Sequence, residues 1–302
     1  MKIILAGDTH GQTDAMEALL DLAEDHDAAG VFVLGDFGIW DHADGGAFTD
    51  WVSEEAWQRS KTVWFLPGNH ENYDLLDRWE KNNPRNEDGF VQVKESLLYS
   101  PRGHRWAWNG VNFLSLGGAY SVDKRSRVTN DSITRMNAQR RAKYNEPPWR
   151  GDEYRLAHDE YSWWAREEIT QEEADLAAKG GPVDVMLAHD YPFGTEVGWD
   201  RKNFEQCQPN QRKLRQVVDA VRPKLYAHGH LHHAYHAHLG ETFIRGFDCD
   251  VDSSRSSGGS GRLAASWGLL TLHGPGGVWD YDLQWTDADG HPHNSFFAAR
   301  EG

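Results

Sequence analysis

The feature that most constrains this chain is an apolar, strand-like run followed at once by metal-binding residue types, a pattern that occurs five times. The runs span residues 2–7, 31–35, 62–67, 183–188 and 224–227, and the groups that follow them are Asp8 with His10, Asp36, Asn69 with His70, His189 with Asp190, and His228 with His230 and His232. Because strand ends of an open α/β sheet meet at one rim, these groups are expected to converge there. Asp, His and Asn supply oxygen and nitrogen ligands that suit Mn, Fe, Zn or Co.

Helix-like segments separate the strand-like runs in the early part of the chain. The spacing of apolar side chains predicts helices over residues 14–26, 47–59 and 211–221. Thr170 and Glu173 have the spacing of a capping box, which predicts a short helix that begins there. Alternation of this kind predicts β-α-β units, and periodicity alone supports an α/β or α+β class.

Predicted strands and loops dominate the later part of the chain. An Asn-Gly pair between two apolar runs, residues 105–108 and 111–116, predicts a β-hairpin. Further strands are predicted over residues 243–247, 267–272 and 279–285. Residues 252–261 are rich in Ser and Gly, which predicts a flexible loop, and the aperiodic tail 286–302 is expected to be partly disordered.

Size, charge and cysteine content narrow the class of protein. A chain of 302 residues can bury a large core, and we expect one domain with insertions. Cys207 and Cys249 do not make a disulfide framework, which favours a reducing cytoplasm. Residues 3–7 are too short for a signal-peptide core, and no apolar run is long enough to span a membrane. The formal net charge of −16 argues against broad binding to nucleic acid or anionic membrane.

The order of the polar groups resembles the calcineurin-like metallophosphoesterases. The matching motifs read Asp8-Thr9-His10, Gly35-Asp36, Gly68-Asn69-His70-Glu71, His189 and Gly229-His230-Leu231-His232. Each motif is weak alone, but the ordered set of five is specific and spans residues 1–240. The resemblance implies a four-layer αββα sandwich, in which two mixed β-sheets are flanked by helices, as a single domain over residues 1–302.

The resemblance also implies a centre of two divalent metal ions, with manganese first and iron, zinc, cobalt or nickel as alternatives. It places Asp8, His10 and His232 on one ion. It places Asn69, His189 and His230 on the other, and Asp36 between the two as a bridge. A metal-bridging hydroxide would then be the nucleophile. The resemblance makes His70 the group that contacts the phosphate and protonates the leaving oxygen, and Asn69 would also face the substrate.

Several residues near these motifs have two readings. Glu71 either orients a neighbour or is a negative charge at a helix N-terminus. Asp190 either hydrogen-bonds a ligand histidine or only shapes a turn. In the second motif, Ile39 stands where the family often has Asp or Asn, so Asp41 or His42 are candidates to support that loop.

Residues 124–155 differ in charge from the rest of the chain. They carry nine Lys or Arg and four Asp or Glu, a balance of +5, whereas the remainder carries 22 basic and 43 acidic residues, a balance of −21. We interpret the surrounding residues 120–165 as a basic insertion. It is either a lid that collects phosphate substrates, with Arg125 and Arg127 as candidate contacts, or a solvated surface excursion.

The chain has fourteen tryptophans, and two interpretations apply to them: packing in the core, or stacking on nucleobases. Core packing explains most of them, and Trp40, Trp163 and Trp164 remain candidates for stacking.

The leading hypothesis is therefore a metal-dependent phosphoesterase of the cytoplasm, most simply a phosphodiesterase for small nucleotide-type substrates, including cyclic nucleotides. The chain is acidic, lacks accessory nuclease-like domains and offers aromatic residues near the motifs. Alternatives are a phosphomonoesterase, a protein phosphatase, or a metal-free binding scaffold of the same fold. The sequence leaves the oligomeric state open.

Overall fold

A computed structural model describes residues 1–39, 45–128, 136, 139, 141, 143, 163–198, 205–249, 263–274, 278–287 and 289–299. The helices are α1 (Thr13–Asp25), α2 (Gly45–Gln58), α3 (Tyr73–Asn82), α4 (Gln171–Lys179), α5 (Gln208–Val221) and α6 (Leu263–Ser266), and a 3₁₀ turn spans Ala165–Glu167. The strands are β1 (Lys2–Ala6), β2 (Gly30–Val33), β3 (Thr62–Phe65), β4 (Val91–Gln92), β5 (Leu97–Tyr99), β6 (Arg105–Trp108), β7 (Val111–Leu116), β8 (Val185–Ala188), β9 (Leu225–His228), β10 (Tyr235–Leu239), β11 (Thr242–Gly246), β12 (Trp267–Leu272), β13 (Tyr281–Thr286) and β14 (Pro292–Phe297).

These strands form two mixed sheets. The eight-stranded sheet has the order β14-β13-β12-β1-β2-β3-β5-β4, and the six-stranded sheet has the order β10-β11-β9-β8-β7-β6. Strands β1, β2, β3 and β5 pair in parallel, as do β7, β8, β9 and β11, whereas the outer strands pair antiparallel. Each sheet therefore has a parallel centre whose loops emerge at a common edge.

The core is divided into three apolar layers, which is what a four-layer sandwich requires. Side chains such as Phe32, Phe113 and Leu225 pack between the two sheets. Other apolar side chains fill the space under α1, α2 and α3 on one side, and under α4 and α5 on the other. The predicted αββα arrangement is confirmed, because each sheet buries one face on the other sheet and its opposite face on helices.

Local sequence signals explain several of these elements. The Asn109-Gly110 pair joins β6 to β7 with positive φ at both residues, +50° and +82°, so the predicted hairpin is confirmed. The backbone N–H of Glu173 donates to the Thr170 hydroxyl, and the Glu173 carboxylate accepts from the backbone N–H of Thr170, so the predicted capping box is also confirmed.

The structure describes most of the predicted tail, residues 286–287 and 289–299. Residues Pro292–Phe297 form β14 and pair antiparallel with β13 along its whole length, so this part of 286–302 is regular structure. Apolar periodicity does not reveal this strand, because it lies at a sheet edge and alternates only between exposed and half-buried positions. The predicted loop 252–261 and most of the insertion 120–165 lie outside the described residues. Within the described ranges, no helix is both long enough and apolar enough to cross a bilayer.

Candidate metal centre

The loops that follow β1, β2, β3, β8 and β9 meet at one place, as the five sequence groups predict. Asp8, His10 and His232 form a first cluster. Nε2 of His232 lies 3.0 Å from Oδ2 of Asp8 and 3.1 Å from Nε2 of His10. One carboxylate oxygen and two imidazole nitrogens that face one point make a donor set that borderline divalent metals bind.

Asn69 and His189 form the second side of the site. Nε2 of His189 lies 3.0 Å from Oδ1 of Asn69, and the His230 ring lies with its centroid 4.9 Å from that of His189. Asp36 stands between the two sides. One of its carboxylate oxygens is 3.4 Å from Nε2 of His189, and the other is 3.9 Å from Nε2 of His10.

Hydrogen bonds behind the site decide which atoms face it. Nδ1 of His189 lies 2.8 Å from the carbonyl oxygen of Leu34, which can only accept, so Nδ1 carries the proton and the other ring nitrogen, Nε2, faces Asn69. Nδ2 of Asn69 donates to the hydroxyl of Ser121 at 3.0 Å, which leaves Oδ1 facing Nε2 of His189. In the neutral imidazole, the lone pair of Nε2 and the oxygen of Asn69 border the same buried space, where one cation could bind both.

The charges of these groups also fit a cation. Burial opposes ionisation of Asp36, yet His189 and His70 hold the pKa of its carboxyl well below the ordinary value. Burial lowers the pKa of His189, but the carboxylates of Asp36 and Asp8 raise it by more, so that this pKa is about 10. The same carboxylates thus favour positive charge at this point, which a divalent ion supplies while leaving the imidazoles neutral.

The backbone is strained where it presents these side chains. His10, Asp36, His230 and His232 adopt positive φ values of 47°, 48°, 68° and 49°, a left-handed conformation that non-glycine residues rarely take. Such strain costs on the order of 1–3 kcal/mol for each residue and is typical of functional sites. Tight turns, and not extended backbone, thus bring together Asp8 with His10 and His230 with His232, which are two residues apart in each case.

Glycines let the loops approach the carboxylates closely. A Cβ added at Gly229 would lie 2.1 Å from Oδ1 of Asp8, and a Cβ added at Gly68 would lie 2.0 Å from Oδ1 of Asp36. A side chain at either position would displace a carboxylate that faces the site.

Replacing Gly229 with alanine is therefore expected to weaken metal binding about 10–100-fold, the usual cost of disturbing groups around a metal ligand. Equilibrium dialysis against Mn²⁺ measures the change. Gly46→Ala is the matched control, because an added Cβ there meets nothing within 4 Å in the described structure. Equal Mn²⁺ affinity in G229A and G46A would contradict the role assigned to this close approach.

His70 lies at the outer side of the site. Its backbone N–H donates to Oδ1 of Asp36 at 2.9 Å, and its half-buried ring lies with its centroid 5.7 Å from that of His10. The hydrogen bond fixes the loop so that the ring of His70 borders the first cluster. An imidazole at this border is placed to meet a substrate that enters from solvent.

Glu71 is a structural tie between two of the site loops. It is completely buried, and its carboxylate accepts hydrogen bonds from the backbone N–H groups of Gly38 and Gly68. It therefore joins the loop of Asp36 to the loop of Asn69, which is the orienting role and not that of a helix N-terminal charge. Burial, with help from Asp36, raises the pKa of Glu71 to about 8. Asp41 and His42, the other candidates to support the Asp36 loop, lie outside the described residues.

Asp190 shapes a turn. Its carboxylate accepts hydrogen bonds from the backbone N–H of Tyr191 at 2.8 Å and from Nδ2 of Asn210 at 3.3 Å. These contacts hold the chain after β8 against α5, and they favour the turn role over contact with a ligand histidine. Burial raises the pKa of Asp190 to about 6.

His228 lies behind the site and is a core histidine. Its ring is completely buried, with Nε2 2.6 Å from the Tyr235 hydroxyl and Nδ1 2.9 Å from the carbonyl oxygen of Gly229. Burial lowers its pKa from 6.5 to about 4. The neutral ring, which donates from Nδ1 and accepts at Nε2, is the form that the surroundings stabilise.

This depressed pKa gives a pH prediction. Below pH 6.5 the unfolded chain protonates His228 and the folded chain does not, so His228 costs stability as the pH falls toward 4 and costs none above 6.5. Between pH 7.5 and 4.5 the loss is expected to be on the order of 3 kcal/mol. Urea unfolding of wild type and His228→Gln at both pH values measures it, with exposed His238→Gln as the control. A wild-type-minus-variant difference that does not change with pH would refute the assignment.

A buried polar network joins the second side of the site to the turn Ala165–Glu167. Glu167 is completely buried, accepts a hydrogen bond from the Ser121 hydroxyl, and pairs with Nη2 of Arg127 at 2.5 Å. Nη1 of Arg127 also donates to the backbone carbonyl of Asn69 at 3.3 Å. Burial raises the pKa of Glu167 to about 7, against the opposing effect of Arg127. Sequence reasoning missed Ser121 and Glu167, because neither belongs to a motif and the insertion separates them.

The predicted substrate contacts of the basic segment are placed differently. Arg127 lies beside Asn69, whereas Arg125 is exposed on the short helical stretch 124–128. Nζ of Lys124 lies 4.1 Å from the ring centroid of Trp163, and Nε1 of Trp164 donates to Asp74, so both tryptophans pack against charged neighbours. Trp40 lies outside the described residues.

Comparison with known proteins finds a matching family model and a curated relative. The family model of the calcineurin-like phosphoesterases matches residues 1–234. A lariat debranching enzyme from Entamoeba histolytica is 27% identical over 188 residues, which are 59% of this chain and 44% of that enzyme, so the match spans less than half of its length.

Two solved structures share the fold at low sequence identity. GAP50, described as the anchor in the inner membrane complex of Plasmodium, is 11% identical, with a TM-score of 0.51 over 100% of this chain and 89% of that chain. A dimetal phosphatase from Danio rerio is 11% identical, with a TM-score of 0.50 over 99% of each chain.

Proposed function

The chain belongs to the calcineurin-like phosphoesterases, and from that premise we propose that it is a phosphodiesterase with two metal ions that acts on small nucleotide-type esters, including cyclic nucleotides. The observation that carries the proposal is the position of Asp36 between His10 of the first cluster and His189 on the second side of the site, with His70 at the outer border. Membership of the family supports a hydrolase that uses divalent metals and acts on phosphate esters.

The proposed first ion is held by Asp8, His10 and His232, and the second by Asn69, His189 and His230, with Asp36 shared by both. When bound, two such ions activate water at neutral pH and offset negative charge on the phosphate oxygens. Their identity is proposed as Mn²⁺, because the donor set mixes carboxylate and amide oxygen with imidazole nitrogen. The fit of the donor set supports this assignment.

The residues of the chain have separate tasks in this proposal. Asp36 stays ionised because His189 and His70 lower the pKa of its carboxyl in spite of burial. His70 is held by its backbone hydrogen bond to Asp36 and donates a proton to the leaving oxygen. Arg127 places a guanidinium beside the backbone of Asn69, where a phosphate that contacts Asn69 and His70 would meet positive charge.

The substrate class rests on the size and charge of the site surroundings. The chain is acidic overall, and its positive balance is confined to residues 124–155, which favours a small anionic ester over a long nucleic acid. Arg125 is the proposed exposed contact of this segment. A cytoplasmic location also belongs to the proposal and rests on the scarcity of cysteine.

A phosphomonoesterase is the second candidate, and the placement of His70 favours it. A general acid at the border of the metal cluster assists basic leaving groups, which monoesters of alcohols have. A metal-free scaffold is disfavoured because the donor set is intact and its lone pairs converge.

Metal analysis and a substrate screen test the proposal. Protein purified in Mn²⁺ is expected to carry about two ions per chain. It should hydrolyse a nitrophenyl diester, 2′,3′-cyclic nucleotides and 3′,5′-cyclic nucleotides faster than a nitrophenyl monoester. Metal binding with turnover of monoesters alone would favour the second candidate. Failure to retain any divalent metal would overturn both.

A further inference from the structure

The amide of Asn69 is the end of a buried chain of hydrogen bonds. Nδ2 of Asn69 donates to Oγ of Ser121 at 3.0 Å, and the Ser121 hydroxyl donates to Oε2 of Glu167. Asn69, Ser121 and Glu167 are exposed by only 2%, 2% and 0%. Water does not compete for these groups, so their hydrogen-bond directions are set by one another.

The direction of this chain follows from Glu167. Its carboxylate accepts from Nη2 of Arg127 at 2.5 Å and from the backbone N–H of Trp164 at 3.1 Å, two donors that stabilise the ionised form. Burial raises the pKa of Glu167 to about 7, so above that pH the carboxylate is ionised and can only accept, and the one hydroxyl proton of Ser121 is committed to it.

The remaining capacity of Ser121 toward Asn69 is that of an acceptor. Only the NH₂ group of the amide can bond to an acceptor, and the amide oxygen must then face His189. The orientation of the Asn69 amide is thus decided by the Glu167 carboxylate, which lies two hydrogen bonds away and does not contact it.

We propose that Glu167 is a positioning residue for the metal centre: acting through Ser121, it locks the Asn69 amide with its oxygen toward the second metal ion. The inference rests on the proposed role of Asn69 as a ligand. An amide is a neutral and comparatively weak ligand, and donation of its N–H toward a hydroxyl backed by a carboxylate makes its oxygen a better one. Without the carboxylate, the Ser121 proton is free to bond to the amide oxygen, and the flipped amide presents NH₂ to a cation.

The test measures Mn²⁺ binding to the intact chain by equilibrium dialysis over a range of free Mn²⁺ concentrations. Glu167→Gln and Ser121→Ala are each expected to weaken one of two sites about 10–100-fold and to leave the other unchanged. The double variant should bind no more weakly than the weaker single variant, because both act through one path. Asp74→Asn is the matched control, since Asp74 anchors the same turn through Trp164 and Arg166 without contacting Ser121.

Two further variants separate positioning from damage to the fold. E167Q leaves the charge of Arg127 without its buried carboxylate, so E167Q/R127M is measured beside it. Nη1 of Arg127 also donates to Oγ of Ser121 at 3.0 Å and to the Asn69 carbonyl, so R127M alone is the reference for the double variant. Relative to R127M, the added E167Q should still cost Mn²⁺ affinity, whereas thermal stability should recover relative to E167Q. In an Asn69→Asp background, whose carboxylate is indifferent to flipping, E167Q should cost little affinity. A binding curve of E167Q that matches wild type, or an equal loss in the N69D background, would overturn the inference. Wild-type protein that binds no metal would instead overturn the proposed function.

Discussion

Replacing Asp36 with asparagine is expected to lower kcat for a phosphodiester by at least about a thousandfold while the fold persists. Asp36 is 2% exposed and lies between the two donor clusters, 3.4 Å from His189 and 3.9 Å from His10. An amide of the same shape keeps one oxygen but loses the negative charge that holds two cations together. The change is therefore expected to act on metal binding and on the chemical step far more than on folding.

Steady-state kinetics, metal content and thermal unfolding distinguish these effects. D36N should retain about one ion per chain, show a cooperative unfolding transition, and lose turnover even at saturating Mn²⁺. Asp184→Asn is the matched control. Asp184 is also completely buried, but it precedes β8 and accepts hydrogen bonds from Asn112. That variant should lose stability and keep kcat within a few-fold of wild type. Full activity of D36N with two bound ions would mean that Asp36 is not the bridge.

The sequence predicts those residues of the site that belong to short local motifs. Asp8 and Asn69 follow buried strands of the eight-stranded sheet, and His189 follows a buried strand of the six-stranded sheet. Parallel strands bring the loops of each sheet to one edge, and the packing of the two sheets brings these edges together. The left-handed turns at His10 and His232 could not be predicted, because only a few per cent of non-glycine residues adopt this conformation, even though histidine does so more often than most. That strain is supported by the surrounding loops and not by local preference.

The residues behind the site are predicted less well. Glu71 lies in a motif, but its burial and its bonds to Gly38 and Gly68 depend on how two loops pack. Ser121 and Glu167 are 46 residues apart, and their contact depends on the intervening chain returning to the site. Strand β14 likewise forms because β13 offers an edge with a matching register, which a search for apolar periodicity does not detect. Support of this kind is a property of the tertiary structure.

His70→Ala is expected to reduce turnover of a phosphodiester with an alkyl or ribose leaving group about 10²–10⁴-fold, the usual contribution of a general acid. The ring of His70 borders the first cluster at 5.7 Å from that of His10, and its backbone is fixed to Asp36, so the variant should leave metal content intact. A nitrophenoxide ion leaves without a proton, because it is a weak base. The loss for a nitrophenyl ester should therefore be much smaller.

A series of aryl and alkyl diesters turns this difference into a measurement. The logarithm of kcat/KM plotted against leaving-group pKa should be steeper for H70A than for wild type, because an unassisted oxygen carries more charge as it departs. His238→Ala, an exposed histidine on β10, is the matched control and should follow the wild-type line. Parallel lines for H70A and wild type would show that His70 stabilises charge on the phosphate equally for every ester. In that case its task is electrostatic, and the proton for the leaving oxygen comes from water.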